Sequence, residues 1–322
     1  VWYNGHAFFA NEQIAISQFL NNTAEGFGGA LDLLTSGGTI RDSLFSGNLT
    51  NYTGGGAVSS YGSATAFDNC SMVGNYTAGS GGAVLLIGSS LTFTNSRIDG
   101  NTAEDQGGGI AMYLFSAPTL HNSVIQGNTA GLDGGAMYLG SSSPAIDHCV
   151  ITRNASTSGV SGLYLIYPET RPHITNSILA YNANYNLYLN TDYLLGLPEA
   201  TVAYSDLYNA PQTPNHNVLG LATTNKLIEP GFLAYDADGL PIDHHLFSRS
   251  PLIDQGNPEA FDLDGTVSDI GSYGGTQGGS FDLDLDGLPD YFWPGELEDA
   301  PEGFNSSDYD CDDLDPGVQS CL

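Results

Sequence analysis

The chain has 322 residues, with 36 Asp and Glu against 6 Lys and Arg, and a formal charge of −30. Such a surface repels nucleic acid and is an equally poor match for anionic lipid. No apolar run approaches a membrane span, Ala83-Val84-Leu85-Leu86-Ile87 being typical of the longest, so insertion in a membrane is not expected.

Three columns recur in one register through most of the chain. Asn falls at Asn22, Asn48, Asn75, Asn101, Asn128, Asn154 and Asn182, in steps of 26, 27, 26, 27, 26 and 28 residues. The second Gly of a pair falls at Gly29, Gly56, Gly82, Gly109, Gly135 and Gly162. Five residues before each Asn stands Ser17, Ser43, Cys70, Ser96, Ser123, Cys149 and Ser177, with Ser205 continuing the series. A fixed period in this range marks a solenoid.

The positions between are strand-like. Three before each Ser or Cys lie Ile14, Ile40, Phe67, Phe93, Leu120, Ile146, Ile174 and Val202; two after lie Phe19, Phe45, Met72, Ile98, Ile125, Ile151, Leu179 and Leu207. No segment sustains a 3.6-residue period, and Gly or Asn interrupts every ten residues or so, which excludes helical repeats. The expectation is an all-β stacked parallel solenoid of 26–28-residue coils, about eight or more rungs, with three short strands per coil. At about 4.8 Å per rung it forms a rod on the order of 40 Å long. A buried Asn then bonds the rungs above and below it, and Asn and Gly also accept left-handed turns.

At the start, Val1-Trp2-Tyr3 lies about one period before the Gly28-Gly29 strand and leaves no room for a cap. A bare first rung is an unpaired sheet edge, so a trimmed piece of a longer precursor is expected. Further on, Cys70 and Cys149 lie three rungs apart, roughly 14 Å, too far to bond, and are expected as buried free thiols.

Residues 91–103, Leu-Thr-Phe-Thr-Asn-Ser-Arg-Ile-Asp-Gly-Asn-Thr-Ala, carry a resemblance. They resemble the repeats of right-handed parallel β-helix proteins of bacterial surfaces, the polymorphic outer-membrane protein-like and pectate-lyase-like superfamily. The likeness covers roughly residues 10–210. It implies a right-handed coil and says little of function, because the same helix carries lyases, hydrolases and adhesins. The lyases of that group use an Arg or Lys base, and the hydrolases use paired carboxylates. The candidates for such roles are Arg153, His148, His173 and Arg171. By column offset they are scattered; His121 and His148 fall in adjacent rungs and nearly adjacent columns. In the strand after Gly-Gly, Leu85, Met112, Tyr138 and Leu165 are expected to form an outward apolar stripe for a partner or for the protein's own tail.

From Ser158 the pattern loosens, and insertions at 194–199 and 209–217 widen the coils. The chain divides into a β-helix over 1–228, closing coils and cap over 229–277 and an acidic tail over 278–322. The phrases Ser250-Pro251-Leu252-Ile253-Asp254-Gln255-Gly256 and Asp269-Ile270-Gly271-Ser272-Tyr273-Gly274 are similar to the closing segments of secreted bacterial β-helix proteins.

In the tail, Asp282, Asp284, Asp286 and Asp290 are spaced D-x-D-x-D-G-x-x-D, with Gly287 permitting the turn and the Leu288 carbonyl adding an oxygen. Hard oxygen ligands at this spacing suit Ca²⁺. The loop resembles those of thrombospondin type 3 and dockerin repeats, although Trp293 stands where an EF-hand has its bidentate Glu. Asp308, Asp310, Asp312, Asp313 and Asp315 resemble a D-C-D-D-x-D-P metal-binding repeat. Cys311 and Cys321 flank a short loop and are placed to pair, as in an extracellular compartment. Taken together, the expectation is a bacterial secreted or outer-surface rod, structural or adhesive, binding a cell-surface protein or glycan and Ca²⁺. The alternative is a polysaccharide lyase or glycoside hydrolase on the same scaffold.

Overall fold

The computed structural model describes residues 13–192, 197–208, 221–235, 241–263 and 265–276, and the backbone of 2–3 and 6–7. The described chain is all β, a parallel solenoid of about seven turns. Strands from successive turns stack into three sheets. The first runs from Leu31–Leu34 through Val58–Tyr61, Val84–Ile87, Ile110–Tyr113, Met137–Gly140 and Leu163–Ile166 to Leu187–Leu189. The second is bent; Thr39–Ser46 and Ala66–Val73 cross the bend unbroken, and later rungs split there, as in Thr92–Thr94 and Arg97–Asp99. The third is built of two-residue strands, Thr23–Ala24 to Ala155–Ser156. No helix is present among the described residues, so none is long and apolar enough to cross a membrane.

Each corner has its own chemistry. The bend of the second sheet places Asp42, Asn69, Asn95, Asn122, His148, Asn176 and Tyr204 at φ between 43° and 50°. Asn and Asp predominate because they tolerate this left-handed region. The bend takes the next N–H out of the strand ladder, and a hydroxyl one rung on accepts it. Ser96 N–H donates to Ser123 Oγ at 3.1 Å, and Cys149 N–H to Ser177 Oγ at 3.0 Å. At the second corner the expected Asn ladder forms. Asn101 Oδ1 accepts both N–H and Nδ2 of Asn75 at 2.9 Å, while Asn101 Nδ2 donates to Met72 O and Asn128 Oδ1, each at 2.9 Å. The ladder runs from Asn22 to Asn182 and ends where Asn182 Nδ2 donates to Asn186 Oδ1 at 2.7 Å. A third corner carries a hydroxyl series that column counting did not find: Ser36 N–H to Ser63 Oγ, Ser63 N–H to Ser89 Oγ and Ser89 N–H to Ser116 Oγ.

Inside, the two expected apolar columns meet the first sheet in one core. Phe19, Phe45, Phe67 and Phe93 form a run of ring contacts with centroids 4.5, 6.1 and 5.2 Å apart. Burying each such side chain stabilises by about 1.5–3 kcal/mol.

One register is corrected. A Cβ on Gly56 would lie 2.1 Å from Gly82 O, on Gly82 2.0 Å from Gly108 O, and on Gly108 2.4 Å from Gly135 O. Close stacking of bare backbone therefore fixes the column as Gly56, Gly82, Gly108, Gly135 and Ser161, and Gly109 and Gly162 each stand one residue too late. The run Gly107-Gly108-Gly109 hides the register because three identical residues offer two equal pairings. Strand pairing settles it: Leu86 is paired with Met112, Met112 with Leu139, and Leu139 with Leu165. Met112 and Leu165 are thus fully buried core residues and not part of an outward stripe. The outward column is Asp32, Ser59, Leu85, Ala111, Tyr138, Tyr164 and Tyr188.

The described residues of the closing segment, 229–235, 241–263 and 265–276, lie against the flank of the rod. Phe232–Tyr235 and Pro241–Leu246 form a separate antiparallel pair. Phe232, Leu252 and Ile270 pack on the outer face of the second sheet, against Val124, Val150, Ile178 and Ala180. Asn122 Nδ2 donates to Ser272 O at 2.7 Å and Gly274 O at 2.8 Å, and Asn176 Oδ1 accepts Asn257 N–H at 2.7 Å. Corner amides of the bend thereby hold the segment down. Cys70 and Cys149 are buried and free, and no disulfide is found among the described residues. Cys311, Cys321 and every Asp of the two acidic motifs lie outside them.

Candidate functional site

Three of the four residues considered for catalysis sit at three different corners, and the fourth opens a strand. His148 occupies the bend of the second sheet. Arg153 (φ 58°) takes the next corner, where Gly47, Gly74, Gly100 and Gly127 stand in earlier rungs. Arg171 is at the third, exposed, 3.8 Å from Glu199. His173 opens the strand His173–Thr175 and is exposed. The structure does not bring them to one place.

It does bring His148 to His121 and to Asp147, a residue the sequence reading passed over. His121 and Asp147 end adjacent paired strands. Nδ1 of His121 lies 3.2 Å, and Nδ1 of His148 3.0 Å, from the same oxygen, Asp147 Oδ2. The rings meet edge to face with centroids 5.6 Å apart. Asp147 Oδ1 accepts from Thr175 Oγ1 at 2.7 Å and Asn176 Nδ2 at 2.8 Å. Burial alone would raise the Asp147 pKa, but the hydrogen bonds from His121, His148 and Thr175 and the charge of His148 outweigh it and hold the carboxyl well below its usual range. The His148 side chain is 3% exposed and covered by Gly274 and Gly275, whereas His121 and Asp147 are 29% and 35% exposed. The signal available in sequence was His121 and Asp147 at equivalent offsets from Ser123 and Cys149.

The outward column of the first sheet is an aromatic series. Tyr138, Tyr164 and Tyr188 stack with centroids 5.7 and 6.0 Å apart, and Tyr113, from the neighbouring outward column, meets Tyr138 tilted by 40° at 5.3 Å. They direct edges and hydroxyls outward, with Tyr113 Oη donating to Gln106 Oε1 at 2.7 Å and Asn190 Nδ2 bonding Tyr164 Oη. Leu85 and Tyr138 are therefore about as closed as the core. Exposed apolar side chains lie elsewhere, Ile16, Tyr52 and Leu263 among them; Leu114 and Phe115, adjacent, 62% and 71% exposed and both at positive φ, project together from the third corner.

Under the closing segment, burial and then the nearby charge of Arg97 push the His244 pKa down to about 3. His245 Nδ1 lies 2.7 Å from Asp243 Oδ1, and its ring stacks on Tyr273 at 3.6 Å. Asp206, at the last turns, is pushed up to about 7 by burial, against the Ile228 N–H it accepts and the charge of Lys226.

This rod of ladder-bonded coils is a β-helix repeat protein. Residues 7–193 match the family described as right handed beta helix region, and the chain belongs to that family. No curated protein matches it.

Proposed function

We propose that the protein is a bacterial secreted or cell-surface rod, structural and adhesive, that binds a partner protein or a surface glycan. One observation carries this reading: the charged candidates for catalysis lie at three separate corners and the start of a strand, while the repeated amides and hydroxyls are engaged in bonds between rungs. A rigid scaffold with exposed corners suits presentation of contacts along its length. The apolar tip of Leu114 and Phe115 is the part of the rod we assign to partner contact. In the tail, Asp282, Asp284, Asp286, the Leu288 carbonyl and Asp290 hold Ca²⁺ in this reading, supported by their spacing. The alternative, a carbohydrate-active enzyme, draws support from the cluster of His121, Asp147 and His148.

Labelled protein retained on bacterial surfaces or on a glycan array, with retention lost in Leu114→Asp plus Phe115→Asp, supports the adhesive reading. Depolymerisation of uronate or neutral polysaccharides that disappears in His148→Ala or Arg153→Ala would replace it by the enzyme. Tail fragments that are identical in limited proteolysis with Ca²⁺ and with chelator would remove the calcium loop.

A further inference from the structure

His121, Asp147 and His148 each offer one donor atom, and all three atoms lie within 4.8 Å of one another. Ligands bound to zinc at 2.0–2.1 Å in a tetrahedron stand about 3.3 Å apart. The two imidazole nitrogens already stand 3.2 and 3.0 Å from Asp147 Oδ2, close to that edge length.

The surroundings favour a metal ligand over a loose surface contact. Asp147 Oδ1 is held by Thr175 Oγ1 and Asn176 Nδ2 from the next rung, which orients the carboxylate and leaves Oδ2 to the two imidazoles. His148 is fixed by its left-handed corner (φ 47°) and by the two glycines over its ring. The partial exposure of His121 and Asp147 leaves one side open to water. Two imidazoles and one carboxylate suit zinc and its neighbours in the transition series; Ca²⁺ takes six to eight oxygens instead.

We propose that His121, Asp147 and His148 bind a divalent transition cation of the zinc class, with water as the fourth ligand. The ion joins two consecutive rungs beside the segment that covers His148. Two of its three protein ligands are imidazoles, so it is chemically distinct from the acidic tail.

The test uses the full chain. Cobalt chloride serves as the optical probe, because a tetrahedral imidazole site gives an intense visible band and carboxylate-bound cobalt in the tail gives a weak octahedral one. We expect an intense band that zinc displaces, and a rise in unfolding midpoint of roughly 5 °C at a hundredfold excess of zinc over its dissociation constant. His121→Gln leaves the covered His148 in place and should abolish both the band and the zinc-dependent rise in midpoint, the metal-free midpoint falling by no more than the loss of one partly exposed contact to Asp147. Asp284→Ala plus Asp286→Ala should keep it. A wild-type chain without the band, or a His121→Gln chain that retains it, overturns the site and leaves a hydrogen-bonded triad.

Discussion

The outer face of the second sheet has two halves that differ in sequence although they share one backbone. The outward column one residue after the Ser/Cys series runs Gln18, Leu44, Ser71 and Arg97, then Val124, Val150 and Ile178. Its neighbour runs Leu20, Ser46, Val73, Asp99, Gln126, Thr152 and Ala180 along the same rungs. The column between them, Phe19 to Leu179, faces the core and stays apolar throughout. The change from Arg97 to Val124 marks where apolar packing of the closing segment on the rod begins, Arg97 lying near His244 of that segment. In a solenoid the inward columns report the fold, and the outward columns report what lies on them.

The comparison breaks most severely if the interior is attacked. Asn101→Leu leaves Asn75 N–H, Asn75 Nδ2, Met72 O and Asn128 Oδ1 short of a partner. At about 1–3 kcal/mol for each buried group left unpaired, denaturant unfolding should show a loss of several kcal/mol. An unchanged midpoint would mean that the ladder contributes nothing and that inside and outside do not differ as argued.

Next come matched substitutions on the two halves of one outward column. Ala180→Asp buries a charge beneath Phe232 and should cost about 3 kcal/mol or more, releasing residues 229–276 to protease first. Ser46→Asp, on the half the segment does not reach, should stay within about 0.5 kcal/mol. Equal effects would show that cover does not set the polarity of the column.

Acid sharpens the contrast through two groups of opposite sign. His244 titrates at about 3 when covered, against an ordinary 6.5, so its contribution is present above 6.5 and is lost as pH falls towards 3. Asp206 titrates at about 7 against 3.8; its contribution is present below 3.8 and is lost as pH rises to about 7. Each changes stability by at most about 1.4 kcal/mol per pH unit, and they offset one another between about 4 and 6.5. Stability of Asp206→Asn should therefore rise with pH across that window, and that of His244→Phe should fall. Two parallel profiles in chemical denaturation would remove both groups from the account.

The smallest effect is expected in the hydroxyl column. Cys70 and Cys149 occupy Ser positions, and burial pushes both thiols up to about 12. They should resist alkylation in the folded chain, and Cys70→Ser or Cys149→Ser should change stability by less than about 1 kcal/mol. Rapid labelling of either thiol would place its column outside.

What sequence could show depended on repetition. The Asn, Ser and apolar columns were legible because each rung repeats the environment of the last, and the ladder and core follow from them. Register fails at Gly107-Gly108-Gly109, where identical neighbours carry no phase, and again at Ser161-Gly162, where a Ser stands in the Gly column; the first slip moves Met112 and the second Leu165 to the wrong face. The third corner keeps the same period, Ser36, Ser63, Ser89 and Ser116 being 27, 26 and 27 residues apart, but neighbouring serines such as Ser59, Ser60 and Ser90 mask the series. Contacts such as Asn122 to Ser272 and Gly274 link residues 150 and 152 apart in a pairing that occurs once, so no period announces it. The adjacency of His121 and His148 was visible from column offsets; the convergence of both on Asp147 depends on ring orientation, which spacing does not encode.

The ladder that ends at Asn186 has a mechanical meaning. Bonds between rungs run along the rod axis, so a pull on its ends loads the rung interfaces in series, and such a chain parts at its weakest link. That link lies past Asn182, where the amide turns to a residue of its own coil and the pattern of identical corners gives out. The closing segment is fastened at Asn122 and again at Asn176, two rungs on. It is therefore a splint, carrying load in parallel with the stack it lies beside, so that force applied at that end is shared with turns well below the fracture line.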